Sequence, residues 1–224
     1  MGNIFRNLDA SVFTNALLSV IPALVCITIH ELAHGYTAYR LGDNTAKDMG
    51  RLTLNPVKHI DIFGLIMMLL FRFGWAKPVP VNMYNFKRPK WYMAVTAVAG
   101  PLSNLILAVV MLFACGLVIS PVLRNGAAGT WMIVYEIIEN TAYISIALAV
   151  FNLLPIPPLD GSKVLFSFFP ESAYYKLMRY ERYGMILLIL IMTTGVFSKT
   201  IGQLTYNIFN RLSAVARFSY GLVK

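Results

Sequence analysis

The sequence predicts an all-α membrane protein, a polytopic bundle of about four to six transmembrane helices. Hydrophobic residues make up 58% of the 224 residues, charged residues make up 13%, and the mean hydropathy is +0.64. Soluble globular domains carry about 25% charged residues. The charges also cluster between long uncharged stretches, at residues 10–29, 92–123, 140–159 and 183–198. Since roughly 20 apolar residues span the hydrocarbon core, these stretches predict membrane-crossing helices.

Four spans are predicted in chain order, at about residues 11–39, 92–120, 130–154 and 183–198. The loop at 40–90 holds nine Lys and Arg against three acidic residues. The positive-inside rule therefore places this loop, and the loop at 155–182, in the cytoplasm. The basic tail after residue 198 would then lie outside, unless it lies in the membrane interface or re-enters the bilayer.

Two shorter elements are predicted inside the first loop. Residues 62–71 are apolar but too few to cross as a helix, which favours a re-entrant or interfacial segment. Residues 75–86 read WAKPVPVNMYNF, with prolines two apart. Because proline is confined to strand edges, we expect a small β-hairpin or edge strand at the cytoplasmic membrane surface.

The net charge of +9 does not indicate nucleic-acid binding. The basic residues flank apolar spans, where they set orientation, and they form no basic helix with aromatic stacking residues. The two cysteines, Cys26 and Cys115, both fall within predicted spans, so no disulfide framework is expected. The lipid bilayer is the partner that the composition predicts.

The second half of the first predicted span contains His30-Glu31-Leu32-Ala33-His34. Residues four apart share one face of a helix, so both imidazoles can reach one zinc ion. Glu31, about 100° further around the helix, can reach a water held by that ion and act as general base. Ionisable residues within an apolar span are costly and predict a functional site. We therefore expect His30 and His34 to be ligands of one catalytic Zn²⁺.

A catalytic zinc usually has a third protein ligand and an open position. Asp160, in NLLPIPPLDGSKV, follows the third span on the side where the first span ends, so we expect it to be that ligand. Asp-Gly is also a common turn dipeptide, and the two roles are compatible. His59 competes as third ligand, but we expect it first to be a loop histidine with local hydrogen bonds, and otherwise a residue that orients a ligand or stabilises charge near the zinc. It ranks below Asp160 because two histidines and a carboxylate are an established catalytic zinc set.

Four motifs in order, HELAH, GWAKPVPVN, AGPLSN and NLLPIPPLDG, resemble the site-2 protease family of intramembrane zinc metalloproteases. The resemblance implies a metal site of His30, His34 and Asp160, with Glu31 as catalytic base. It also implies a three-helix catalytic core that cuts transmembrane segments of membrane-protein substrates. No loop is long enough for a PDZ or CBS domain, so this is a compact form. We expect a single integral membrane protease domain over 1–224, with a core at about 11–167 and a C-terminal helical segment at about 183–224.

Weaker signals concern catalysis and substrate presentation. Asn152, near the cytoplasmic end of the third span, is a candidate second donor for the developing oxyanion or an interhelical contact. The segment at 75–86 could pair with an unwound substrate, or it could cap the site. Gly100-Pro101 and Asn104 are expected to allow close helix contact or a kink.

The competing function is a membrane metal transporter or metal-binding sensor that uses the same His/Asp site. A transporter is expected to place polar or acidic residues along several spans. Here Glu31 and Asp160 cluster at one depth, while Glu136 and Glu139 lie near the opposite end of the third span. This favours one site and a protease, which we expect in the plasma membrane of a prokaryote.

Overall fold

A computed structural model describes residues 10–64, 76–125, 129–193 and 195–223. The helices in these ranges are α1 (Ala10–Arg40), α2 (Thr45–Asp48), α3 (Pro89–Asn125), α4 (Thr130–Asn152), α5 (Asp160–Phe166), α6 (Glu171–Tyr180), α7 (Gly184–Thr193), α8 (Val196–Leu212) and α9 (Ala214–Gly221). Short 3-10 helices lie at Pro56–His59, Met83–Asn85 and Glu181–Tyr183. The described residues contain no sheet, and the all-α class is confirmed.

The three longest helices form the centre of the protein. Their segments Leu18–Arg40, Pro89–Arg124 and Thr130–Asn152 are long and apolar enough to cross a membrane. They match the first three predicted spans. Helices α1, α3 and α4 all pack against one another, with the most extensive contact between α3 and α4. This three-helix unit positions the residues of the HELAH motif and of the AGPLSN motif.

The predicted fourth span is not one continuous helix. Helix α7 has ten residues, which is about 15 Å of helix and half of what a span needs. Helix α8 begins anew after Gly195, whose φ of 70° is left-handed. Glycine adopts this conformation without the steric cost that other residues meet. The number of membrane crossings in the C-terminal segment therefore stays a prediction.

The predicted hairpin at 75–86 was wrong for the residues that the structure describes. From residue 76 the chain runs extended to Met83–Asn85, and its one β-bridge joins Ile60 and Ala76. The prolines at 78 and 80 cannot donate to a ladder. The N–H of Val79 is bonded to the Glu31 carboxylate instead of a partner strand. The predicted re-entrant segment at 62–71 lies mostly outside the described residues, which omit 65–75.

The C-terminal helices pack along the three-helix unit. Gly184 begins α7 against Pro157, close to the end of α4. Helix α9 packs against α3, where the hydroxyl of Ser219 donates to the carbonyl of Phe113 at 2.8 Å. A Cβ on Gly116 would lie 1.9 Å from the Ser219 Oγ, so glycine permits this contact. The tail thus joins the Asp160 end of the bundle to the far part of α3.

Candidate active site

The structure brings together three of the residues that the sequence singled out. His30 and His34 project from one face of α1, with ring centroids 4.6 Å apart. Asp160 lies at the start of α5, and its Oδ2 is 3.1 Å from the Nε2 atom of each imidazole. The two Nε2 atoms are 3.0 Å apart. All three side chains are buried. They form the group of possible metal ligands found among the described residues.

The glycine of the LDG turn explains why Asp160 reaches the helix of the histidines. A Cβ on Gly161 would lie 2.2 Å from the main-chain carbonyl of Leu153, just past the end of α4. Without a side chain, the first turn of α5 can pack against that carbonyl. This close approach sets the Asp160 carboxylate beneath the imidazoles, far from them in sequence but adjacent in space.

The donor set fits a zinc ion. In a tetrahedral site with bonds of about 2.0–2.1 Å, neighbouring ligand atoms lie about 3.4 Å apart. The three observed separations, 3.0, 3.1 and 3.1 Å, are within a few tenths of an ångström of that spacing. Two imidazoles and a carboxylate are also a donor set that zinc prefers. A cleft of about 510 Å³ adjoins the group, so a fourth position would be open to water and substrate.

The second oxygen of Asp160 faces a cation. The Nζ of Lys163 lies 3.8 Å from Asp160 Oδ1 and 3.6 Å from the carboxylate of Glu181. Burial opposes ionisation of Asp160, but its contacts with the two imidazoles and the charge of Lys163 outweigh burial and hold its pKa well below the usual range. The carboxylate is therefore charged at neutral pH, which is the form that binds a metal.

Glu31 lines the same cleft and is held by the extended segment. Its Oε2 accepts a hydrogen bond of 2.7 Å from the main-chain N–H of Val79. Pro78 and Pro80 flank Val79 and have no N–H, so Val79 supplies the donor at this point. One carboxylate oxygen is thereby fixed, and Glu31 stays beside the three possible ligands. The PVP sequence positions this carboxylate.

Helix α3 supplies contacts that the sequence motifs did not reveal. A Cβ on Gly100 would lie 2.4 Å from His34 Nε2 and 2.7 Å from His30 Cε1, so the imidazoles pack on bare backbone. The ring Nδ1 of His34 is 2.7 Å from the carbonyl of Thr96. The ring Nδ1 of His30 is 3.2 Å from the amide of Asn104. Close helix contact at AGPLSN was expected, but its place against the histidines was not.

Of the two remaining candidate residues, Asn152 lies on the cleft beside this group and His59 does not. Asn152 lines the cleft, and its amide donates to the carbonyl of Leu148 at 3.0 Å, one turn earlier in α4. His59 is buried elsewhere, with its Nε2 2.9 Å from the carbonyl of Thr53. The structure therefore places Asp160, and not His59, beside the histidines of α1.

Known proteins resemble this chain over most of its length. The Peptidase family M50 model matches residues 118–195. YwhC of Bacillus subtilis, named as a candidate zinc metalloprotease, is 41% identical over 185 residues, which cover 80% of this chain and 81% of YwhC. Rip2 of Mycolicibacterium smegmatis is 26% identical over 201 residues, covering 87% of this chain and 73% of Rip2.

A third relative comes from an archaeon. MJ0611 of Methanocaldococcus jannaschii is 31% identical over 161 residues, which cover 72% of this chain and 74% of MJ0611. No solved structure matches the chain. All three relatives are named as candidate zinc metalloproteases. Together with the apolar helices, the similarity to YwhC shows that this chain is an integral membrane zinc metalloprotease and belongs to Peptidase family M50, the site-2 protease family.

Proposed function

We propose that the protein cleaves transmembrane segments of membrane-protein substrates near the cytoplasmic side, with His30, His34 and Asp160 as zinc ligands. One observation carries the proposal. The three ligand atoms converge in the second half of an apolar helix, next to the carboxylate of Glu31, on a cleft. A metal site at this depth can act on a peptide bond inside or just below the bilayer. The bacterial relatives favour the plasma membrane of a prokaryote.

The proposed chemistry is hydrolysis of a peptide bond. A zinc ion held by His30, His34 and Asp160 would lower the pKa of its bound water toward neutrality and polarise the scissile carbonyl. Glu31 takes a proton from the attacking water and later passes it to the leaving amine. The hydrogen bond from Val79 restrains one oxygen of Glu31, so that its other oxygen can face the cleft. The Glu31 carboxylate is therefore positioned before the substrate binds, which lowers the entropic part of the activation barrier for hydrolysis.

Asn152 is proposed as a donor to the oxyanion that develops on the substrate carbonyl. Its side chain lines the same cleft as Glu31 and the three proposed ligands. Its amide now donates to the carbonyl of Leu148, so the side chain must rotate toward the substrate. Loss of one oxyanion donor costs about 100- to 1,000-fold in kcat.

A helical substrate hides its carbonyl groups in intrahelical hydrogen bonds and must unwind locally before cleavage. Pro78, Val79 and Val81 form one wall of the cleft, in the extended part of the chain that precedes Met83–Asn85. We propose that an unwound substrate lies along this segment and pairs with its main chain. The N–H of Val79 is already taken by Glu31, so pairing uses the other main-chain groups there.

The test is the variant Glu31→Gln, assayed for bound zinc and for cleavage of a reporter transmembrane substrate. Gln keeps an oxygen that can accept from Val79 but cannot act as a base. We expect zinc to be retained and cleavage to fall by about 100- to 10,000-fold. Glu136→Gln, in the far half of α4, is the matched control and keeps full cleavage. Cleavage at the natural rate by the Glu31→Gln variant would refute the proposed role of Glu31.

A further inference from the structure

We propose that Asn104 is a positioning residue of the zinc site, whose amide oxygen accepts the Nδ1 proton of His30 and so directs Nε2 at the metal. This inference rests on the proposed function, because it takes His30 as a zinc ligand. It adds to the site a residue from α3 that contacts a ligand without touching the metal itself. Such partners fix the ring orientation and the tautomer of a metal-binding histidine.

Asn104 points at the imidazole and not at a neighbouring helix backbone. The side chain is fully buried, and its Nδ2 lies 3.2 Å from His30 Nδ1. Its Oδ1 has no hydrogen-bond partner among the described residues. In this orientation the amide offers a hydrogen to His30 Nδ1, which suits only a ring whose Nδ1 carries the lone pair. The main-chain carbonyl of Asn104 is separately satisfied by the hydroxyl of Ser145 at 2.8 Å.

A zinc-bound His30 requires the opposite orientation of the amide. A neutral imidazole that gives its Nε2 lone pair to a metal carries its proton on Nδ1. That proton requires an acceptor, and an amide NH₂ cannot serve as one. The oxygen and nitrogen of a carboxamide exchange places when the group turns by 180°, and their assignment follows the hydrogen-bond network. After this turn, the group 3.2 Å from Nδ1 is the oxygen.

The second histidine provides an internal comparison. His34 Nδ1 lies 2.7 Å from the main-chain carbonyl of Thr96. A carbonyl can only accept, so the Nδ1 of His34 must carry the proton and its Nε2 is free for the metal. Thr96 and Asn104 lie two turns apart on α3, on either side of Gly100. Helix α3 therefore sets the same tautomer in both rings, once through its backbone and once through a side chain.

The test measures zinc affinity by chelator competition on the purified full-length protein. Asn104→Leu fills a similar volume without an acceptor, and we expect zinc binding to weaken by about 10- to 100-fold. Asn104→Asp restores an acceptor in place of the amide oxygen and should bind zinc close to the natural affinity. Ser145→Ala is the matched control, since it removes a buried hydrogen bond at the same helix contact without touching the imidazole.

The outcomes separate this inference from the proposed function. Natural zinc affinity in Asn104→Leu, or equal losses in the Leu and Asp variants, would overturn the positioning role and leave the ligand assignment intact. A loss in Ser145→Ala as large as in Asn104→Leu would show that packing alone is responsible, which also overturns it. His30→Ala tests the ligand itself. If that variant keeps tight zinc, the proposed site is wrong.

Discussion

A single methyl group at Gly100 is expected to dismantle the metal site. The glycine lies on α3 directly against the two imidazoles of α1. In a Gly100→Ala variant, the new Cβ would lie 2.4 Å from His34 Nε2, 2.5 Å from His34 Cε1 and 2.7 Å from His30 Cε1. The first of these atoms is the nitrogen that we propose as a zinc ligand. The substitution therefore acts on the ligands without removing any of them.

The magnitude follows from the distances. Non-bonded heavy atoms are most favourable at about 3.5–4.0 Å, so the ring or the helix must move by about 1 Å. Metal–ligand distances tolerate about 0.2 Å. The required shift exceeds that tolerance about fivefold, and misplacement by about 1 Å can reduce catalysis about 100-fold. We expect zinc binding and cleavage each to fall by at least about 100-fold, which corresponds to about 2.8 kcal/mol.

The assay is chelator competition on protein purified in detergent, followed by cleavage of a reporter transmembrane substrate. Gly202→Ala is the matched control. It makes the same change within helix α8, where the new Cβ would meet no atom within 4 Å. Alanine there should leave zinc binding unchanged and favour the helix by about 0.5–1 kcal/mol. A Gly100→Ala variant that binds zinc as tightly as the natural protein would refute the packing argument.

Two further predictions concern the regions around the site. The buried carboxylate of Asp43 accepts a hydrogen bond from the main-chain N–H of Asn82. Burial raises the pKa of Asp43, but the hydrogen bonds to its carboxylate outweigh burial, so the pKa is lowered. Asp43→Asn should cost about 1–3 kcal/mol of unfolding free energy at neutral pH. This difference should shrink as the pH falls below about 4, because the natural protein loses the contribution when Asp43 is protonated; a pH-independent difference would contradict this. In a Gly116→Ala variant, the new Cβ should collide with Ser219 and detach α9, which exposes the tail to protease while zinc binding persists. Gly221→Ala is the control, because its new Cβ would meet no atom within 4 Å; protease sensitivity and zinc binding should both stay unchanged.

The sequence was sufficient for the parts of the fold that follow from local periodicity and spacing. Three long apolar stretches predict the three long helices, because helix length in a membrane is set by bilayer thickness. The spacing of four in HELAH predicts that His30 and His34 share a face. Asp160 could be placed near them because the first and third spans end on the same side. Each of these inferences needs only chain direction and helix geometry.

Other features depend on how the helices face one another, which the sequence does not encode locally. The rotation of α3 that turns Gly100 and Asn104 toward the imidazoles was not predictable from AGPLSN alone. In the described segment at 76–82, only Lys77 donates to another part of the main chain, at the carbonyl of His59, whereas Val79 and Asn82 donate to the carboxylates of Glu31 and Asp43. At Val79, a side chain from α1 thus replaces the partner strand that the proline pattern led us to expect.

The site is held by partners from separate parts of the chain, and this has a consequence for folding. The Nδ1 of His34 bonds to the Thr96 carbonyl of α3, Asp160 comes from α5, and Glu31 is held by Val79. Each of these contacts joins α1 to another part of the chain and is lost on unfolding. In the unfolded chain, only His30 and His34 remain close enough in sequence to bind one zinc ion together. Zinc should therefore bind the assembled bundle far more tightly than the unfolded chain, and binding energy becomes folding energy. The metal would then stabilise the packing of α1, α3 and α5 as well as supply the chemistry.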